Sequence, residues 1–321
     1  MTDVRGWPRY GWNHWKDPEE VRARLAAGAD PDAVLDGDLR VLHQAAEWGT
    51  AEAVAELAAR AREVDALHDG RSALWIAVQS GNNEVARALA AAGADPWLPM
   101  MAGWSPGRLS LAGPAPDLFP VPPGLAGRPV AALSAAESEA VREAKRLIEA
   151  VDGDYDDGYS LCCVSGIDAA EAIRRLDGTV IDYEEPEDPD LDDDNLIVGV
   201  TDVPGGCVVI QRYGFIASTP DVSRRLSAGT VCYAMYANPK SGNQGSIMRD
   251  GAVGGWDLHP GGFWPDANAS ADEILRTFLF RGEAVAYCCS FVGLRPADAR
   301  AFIGTPDVWL ELSQRDWWSL T

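Results

Sequence analysis

A glycine recurs at intervals of 33 residues, at Gly37, Gly70 and Gly103. A fixed period of roughly 20–50 residues is typical of repeat proteins, in which each unit buries its apolar face only against its neighbours. A leucine follows each of the first two glycines, Leu42 and Leu74, and we expect these side chains to fill equivalent slots between successive helix pairs. The period therefore predicts that residues 17–112 form a stack of helical hairpins.

Two further segments repeat within each unit. The stretches VLHQAAEWG (Val41 to Gly49) and SALWIAVQSG (Ser72 to Gly81) each follow one of the glycines, and EEVRARLAAGADP and EVARALAAAGADP close two units. These stretches resemble the ankyrin repeat, with its pattern T-P-L-H-x-A-A-x-x-G and its closing G-A-D. The resemblance implies an all-α ankyrin stack that binds another protein.

The two ends of the array depart from the ankyrin pattern. The first unit lacks its first helix, and RGWPRYGWNHW stands in its place, so we expect Trp7, Trp12 and Trp15 to cap that end of the stack. The last unit, Gly103 to Gly113, begins as a repeat and then dissolves into proline, which predicts a cap at the other end. One extra residue precedes Val41 in the second unit.

In ankyrin proteins the turn tips and the outward face of the first helix usually contact the partner. The corresponding partner-binding residues are Asp38, Glu47, Trp48, Arg71, Gln79 and Ser80. Trp48 is the most informative, because an exposed aromatic residue in a concave groove is a natural binding anchor. The alternative is that Trp48 seals the gap to the next domain. His43 occupies the position of the repeat's structural histidine, and we assign it no catalytic role.

Proline clusters from Pro114 to Pro129 and marks a boundary. The predicted organisation is therefore a stack over residues 1–112 with a Trp-rich N-terminal cap, a Pro-rich linker over 113–133 and a second domain over 134–321. In that second domain short strands alternate with capped helices, beginning with a helix at Ser134. The pattern predicts an α+β domain with a mostly antiparallel sheet and helices against one face.

Four local predictions belong to the second domain. YSLCCVSG and AYCCSFVG are predicted strands, so that the neighbouring cysteines in Cys162-Cys163 and Cys288-Cys289 point to opposite faces of a sheet. VVIQRYGFIA predicts two strands with a turn at Gly214, and ANPKSGNQGS predicts a long hairpin loop. None of the six cysteines forms a C-x-x-C pair, which disfavours zinc and redox sites. We expect buried thiols, because the paired cysteines lie in apolar runs.

About Tyr159 to Gly304 the chain resembles a bacterial family of domains of unknown function, found in GC-rich organisms and often fused to other modules. The resemblance rests on YSLCCVSGIDAAEAIRRL, GCVVIQRYGFIAST and YAMYANPKSGNQGSIMRDGAVGGWDLHP. It implies a domain and no mechanism. The acidic insert between Ile181 and Asn195 departs from the family.

The net charge of −22 divides into −5 for residues 1–112 and −17 for the remainder. Nine of the thirteen residues from Asp182 to Asp194 are Asp or Glu, a density that repels phosphate and disfavours nucleic acid as a ligand. A basic protein partner is electrostatically favoured, and a solubilising loop is the alternative. No apolar stretch is long enough to span a membrane, and the first residues do not resemble a secretory signal, so we expect a cytoplasmic protein.

Recognisable chemistry is sparse. The alternating Asp152, Asp154 and Asp156 lack the glycine and the final carboxylate of a calcium loop, and no phosphate-binding loop or zinc pattern is written, so we expect neither metal nor cofactor. Asp257 and His259 would share one face of a strand and form the single conceivable proton-transfer pair. A polar pair at a loop edge is the alternative.

Two hypotheses follow. In the first, this is a non-enzymatic interaction protein, extended as a hypothesis to an inhibitor or immunity-like role in which the ankyrin groove and the acidic second domain bind a basic protein. In the second, it is an enzyme or small-ligand receptor with a pocket in the α+β domain. A deep polar pocket with converging Asp257 and His259 would favour the second.

Overall fold

The computed structural model describes residues 3–8, 13–155, 158–184, 196–262 and 264–320. Trp12, Asp156 and most of the acidic segment of residues 182–194 lie outside these ranges. By their contacts the residues form two compact units: residues 1–141 with 265–279, and residues 142–264 with 280–321. The predicted boundaries at 112 and 133 remain a prediction, and the structure adds that residues 265–279, distant in sequence, belong to the first unit.

The first unit consists of short β-hairpins that alternate with helix pairs, as the 33-residue period requires. Its strands are β1 (Asp3–Val4), β2 (Trp7–Pro8), β3 (Val34–Asp36), β4 (Leu39–Arg40), β5 (Leu67–His68) and β6 (Arg71–Ser72). Its helices in the stack are α1 (Pro18–Ala26), α2 (Val41–Trp48), α3 (Ala51–Ala58), α4 (Ala73–Gln79), α5 (Asn83–Ala91) and α6 (Pro106–Ser110). The second repeat comprises β3 to α3, and the third repeat comprises β5 to α5.

Local sequence starts most of these helices. Side-chain oxygens of Asp17, Thr50, Ser72 and Asn82 accept hydrogen bonds from backbone N–H groups in the first turns of α1, α3, α4 and α5. Such caps satisfy donors that have no partner inside the helix, and each contributes on the order of 1 kcal/mol. Local sequence therefore fixes where these helices begin.

Stacking joins each repeat to the next. Helix α3 packs between α1 and α5, and α4 packs between α2 and α6. Leu42 and Leu74 are buried between the helices, as predicted. The loops repeat one hydrogen bond: Asp32 accepts from the backbone N–H of Arg62 at 3.0 Å, and Asp65 accepts from that of Asp95 at 3.2 Å. Each repeat thus covers apolar surface of its neighbour and accepts a hydrogen bond from the neighbour's backbone.

Two tryptophans, Trp7 and Trp15, lie at the N-terminal end of the stack, where a Trp-rich cap is predicted. Both are buried, their ring centroids lie 5.4 Å apart, and Trp7 Nε1 donates to the carbonyl of Asp30 at 2.7 Å. A 3-10 turn at Asn13–Lys16 precedes α1 where the missing helix would lie.

The other end of the stack uses more of the chain than the proline-rich sequence indicates. Helix α10 (Ala271–Leu279) packs here: Trp104 Nε1 donates to the carbonyl of Ala271 at 3.1 Å, and the Phe278 ring closes on Gly113. In the proline-rich segment Leu118 and Phe119 are buried. The last repeat is therefore covered by local sequence and by a distant helix together.

The second unit is built on one antiparallel sheet. Its strands are β7 (Ser160–Ser165), β8 (Thr179–Ile181), β9 (Ile197–Val203), β10 (Gly206–Gln211), β11 (Val231–Asn238), β12 (Gly242–Arg249), β13 (Ala252–Leu258) and β14 (Val308–Glu311). They lie in the order β13-β12-β11-β7-β10-β9-β14-β8, and every described pair is antiparallel. The predicted α+β architecture with an antiparallel sheet is confirmed.

Helices of the second unit cover both faces of the sheet, so the prediction of one covered face is wrong. Its helices are α8 (Ala169–Leu176), α9 (Pro220–Leu226), α11 (Ala284–Val292) and α12 (Arg300–Ile303), and α7 (Ala135–Ala150) spans the division between the units. Cys162 packs in a core with residues of α8 and α9, whereas its neighbour Cys163 lies 3.9 Å from Cys289 of α11, sulfur to sulfur. Neighbouring residues of one strand thus meet different helix layers.

Three local predictions need correction. AYCCSFVG lies in helix α11, which ends at Gly293 in the left-handed conformation. A short, largely apolar run suits a buried helix as well as a strand. Beyond Gly214 the chain forms a 3-10 turn, Ile216–Ser218, in place of the second strand. The predicted long loop is a tight hairpin, since β11 pairs with β12 as far as Asn238 and Gly242. Among the described residues, no helix combines the length and the apolar character needed to cross a membrane.

We predict that Leu74→Ala lowers the stability of the first unit. Leu74 is fully buried between repeats, and truncating such a leucine costs about 2–5 kcal/mol through lost burial and the cavity left behind. Equilibrium urea unfolding followed by circular dichroism measures the change. Leu67→Ala is the control, because Leu67 of β5 is 46% exposed and its loss should cost less than about 0.5 kcal/mol. Equal unfolding midpoints for the two variants would contradict the stacking role of Leu74.

Candidate functional site

The predicted contact residues lie on two structural features of the first unit. These are the hairpin tips and the first helices of the repeats, α2 and α4, which we call the inner helices. Asp38 lies at the tip between β3 and β4 and is exposed. Arg71 begins β6, directly after the tip formed by Asp69 and Gly70, both of which have positive φ. Glu47 and Trp48 end α2, Gln79 is the last residue of α4, and Ser80 is its C-cap.

Histidines hold the two tips together. Nδ1 of His68 donates to Oδ1 of Asp38 at 2.5 Å, and this hydrogen bond lowers the pKa of Asp38 below its ordinary value. The His43 ring lies 5.7 Å from the His68 ring, centroid to centroid. Consecutive hairpin tips are thus joined through side chains, and Asp38 carries a negative charge at neutral pH.

His43 has the structural role that its position in the repeat predicts. Its Nδ1 accepts from the backbone N–H of Arg40 at 3.1 Å, and its Nε2 donates to the carbonyl of Ala66 at 2.9 Å. Burial lowers its pKa to about 4, so the ring is neutral at pH 7. His43 thereby fixes the start of α2 against the loop of the next repeat.

Arg71 lies among the carboxylates of this region. Its side chain is 11% exposed and its guanidinium lies 3.3 Å from Oδ2 of Asp69. Burial lowers the pKa of Arg71, whereas the charges of Asp69, Glu47 and Asp266 raise it. The structure therefore brings Glu47 and Arg71 into electrostatic contact and places Arg71 largely below the surface.

Equivalent positions of the second and third repeats differ sharply in exposure. Trp48 is 46% exposed and Glu47 is partly exposed. The equivalent of Glu47 in the third repeat is Gln79, which is 3% exposed, and the equivalent of Trp48 is Ser80, which is partly exposed. Gln79 was predicted on the outward face, and its burial removes it from the accessible surface. The most exposed residues of the predicted site, Asp38 and Trp48, therefore lie on the second repeat.

Sequence reasoning missed His68 and Asp69. The available signal was the dipeptide Asp69-Gly70, which marks the tip of a two-residue hairpin turn, directly after a histidine. We call Trp48 and its neighbour Glu47, together with Asp38, Asp69 and Arg71, the second-repeat surface, after the repeat that carries Trp48. Asp69 and Arg71 belong to the adjoining tip of the third repeat.

The predicted proton-transfer pair of the second unit lacks the geometry that motivated it. Asp257 has a φ of 54°, so the extended backbone that would align it with His259 on one face is interrupted. Asp257 is exposed and His259 is partly exposed. A cavity of about 370 Å³ in this unit is lined instead by residues around Asp177, Thr179, Glu311 and Ser313. The pairing of Asp257 with His259 stays a prediction.

We predict that His43→Gln flattens the dependence of stability on pH. The pKa of a histidine in an unfolded chain is about 6.5, whereas burial lowers the pKa of His43 in the folded chain to about 4. Between these two values the unfolded chain binds a proton at this position and the folded chain does not. The stability contributed by neutral His43 is therefore complete above about pH 6.5 and is lost as the pH falls towards 4. The loss is on the order of 3 kcal/mol.

Urea unfolding between pH 7.5 and 4 measures this difference against the wild type, which cancels the common effect of the carboxylates. His14→Gln is the matched substitution elsewhere in the first unit. If His43→Gln retained the wild-type pH slope, the buried imidazole would not be its source.

Comparison with known proteins agrees with the repeat geometry. A family model described as ankyrin repeats matches residues 14–99 in three copies. No curated protein matches the chain significantly. The N-terminal third is thus an array of three ankyrin repeats, which is a protein–protein interaction module.

Proposed function

Because residues 14–99 of this chain are ankyrin repeats, we propose that the protein binds a basic protein partner through the second-repeat surface. The observation that carries the proposal is the exposure of Trp48, 46% at the end of a helix whose other apolar residues are buried. A large aromatic side chain at the centre of an interface contributes strongly to binding, because it buries much area and loses little conformational freedom.

Charge supports a basic partner. The charges of three carboxylates of the surface, those of Asp38, Glu47 and Asp69, act on one largely buried guanidinium, that of Arg71. An arginine or lysine of the partner would find there both carboxylates to pair with and an indole face for a cation–π contact. The net charge of −22 adds long-range attraction for a cation-rich protein and disfavours nucleic acid.

Partial exposure also gives Ser80 a place at the edge of the contact. Arg71 acts in this proposal by orienting the carboxylates, because its side chain is 11% exposed. Gln79 has no part in it. We extend the proposal to an inhibitor or immunity-like role, in which the acidic second unit adds to the shielding of a basic partner.

We predict that Trp48→Ala loses the partner in affinity capture from cells of the native host. Removal of a central aromatic anchor typically costs about 2 kcal/mol or more, roughly thirtyfold in affinity. The matched control is Trp318→Ala, which removes an equally large side chain that is 57% exposed on the second unit. Equal recovery of every captured protein by the wild type and both variants would exclude the second-repeat surface.

Two further measurements address the partner's charge and the inhibitory role. Glu47→Gln should weaken capture, and raising the salt concentration should weaken it further, because exposed charges are screened. If the captured protein is an enzyme or a toxin, an equimolar amount of wild-type protein should suppress its activity and Trp48→Ala should not. Salt-independent capture of an acidic protein would overturn the choice of a basic partner.

A further inference from the structure

The tips of two successive hairpins bring together three side chains that can act as metal ligands. Asp38 belongs to the tip of the second repeat, and His68 and Asp69 belong to the tip of the third. One ligand atom from each residue lies within 4.8 Å of the others. In the part of the chain that the structure describes, this is the one such group of three.

The histidine lies between the two carboxylates. Nδ1 of His68 is 2.5 Å from Oδ1 of Asp38, and Nε2 of His68 is 3.7 Å from Oδ2 of Asp69. The imidazole is 25% exposed, whereas the carboxylates are 61% and 59% exposed. The imidazole is thus the most buried of the three side chains and lies beside the ring of His43, whereas the two carboxylates are largely exposed.

We propose that Asp38, His68 and Asp69 bind a divalent transition-metal ion of the Zn²⁺ type that bridges the tips of the second and third repeats. Zinc takes imidazole nitrogen and carboxylate oxygen at about 2.0–2.2 Å, commonly with three protein ligands and an open fourth position. Ligand atoms around such an ion lie roughly 3.3–3.6 Å apart, which follows from these bond lengths and a tetrahedral arrangement. The imidazole binds the ion through one nitrogen, Nδ1, which faces Asp38. Asp69 now faces Nε2, so its carboxylate turns toward the ion by side-chain rotation, and water or a partner's side chain completes the coordination.

The ion competes with two existing interactions. It replaces the hydrogen bond between His68 and Asp38, and it draws Asp69 from Arg71, which lies 3.3 Å away. Both are contacts of largely exposed carboxylates, which contribute about 0–1 kcal/mol each. The nitrogen ligand favours Zn²⁺ over Mg²⁺ and Ca²⁺, which prefer all-oxygen sites.

The experiment measures Zn²⁺ binding to the full-length protein at pH 7 by competition with a chelating dye. We expect one Zn²⁺ per chain at this site and no comparable binding of Mg²⁺. His68→Gln, Asp38→Asn and Asp69→Asn should each weaken it by at least about tenfold, since loss of even an outer-shell partner costs on the order of 10- to 100-fold. Asparagine tolerates the positive φ of Asp69, so the hairpin is preserved.

The matched control is Asp36→Asn, which removes a neighbouring exposed carboxylate outside the group and should leave Zn²⁺ affinity unchanged. Zn²⁺ should also raise the melting temperature of the wild type and not that of His68→Gln, because an ion that binds the folded state stabilises it. Circular dichroism of the metal-free variants checks the fold. Absence of saturable binding, or binding unchanged in any one of the three ligand variants, overturns the three-residue site.

Discussion

The first unit depends on burial between neighbouring repeats. A single ankyrin hairpin cannot cover its own apolar face, so Leu74 of α4 is protected because α2 lies on one side of that helix and α6 on the other. With three repeats, the two terminal surfaces form a large part of the whole. This explains why tryptophans close one end and why Trp104 and Gly113 pack against α10 at the other. The second end is closed by residues that follow more than 150 positions later in the chain.

The first helices of the second and third repeats, α2 and α4, also differ in exposure. The third repeat has no open inner-helix face, because every residue of α4 is buried, while α2 ends in a half-exposed tryptophan. The sequence reflects this difference: Ile76 occupies the position that Gln44 holds in the second repeat. The exposed part of the inner face is therefore concentrated on the second repeat.

Periodicity made the repeats predictable, because each structural requirement recurs within about 33 residues. The burial of Leu42 and Leu74 could be inferred from spacing alone. The burial of Gln79 could not be inferred in this way. Gln79 and Glu47 occupy the same position of the repeat, and their different exposure arises from their tertiary surroundings. The error at Cys288-Cys289 has another cause: helix α11 has nine residues, six of them buried, and so short an apolar run is hard to distinguish from a strand by periodicity. The contact between Asp38 and His68 also escaped prediction, because it joins residues 30 positions apart.

The two proposed ligands of the first unit share carboxylates and therefore influence each other. Arg71 interacts electrostatically with Glu47 and with both aspartates of the tips. A positive charge added at the tips would therefore change the electrostatic potential that attracts a basic side chain to Trp48. A bound divalent ion would cancel the two aspartate charges and reduce the attraction for that side chain. By reciprocity, a partner that neutralises these aspartates would weaken metal binding by the same factor. If the partner instead supplied the ion's fourth ligand, the sign would reverse and each would strengthen the other.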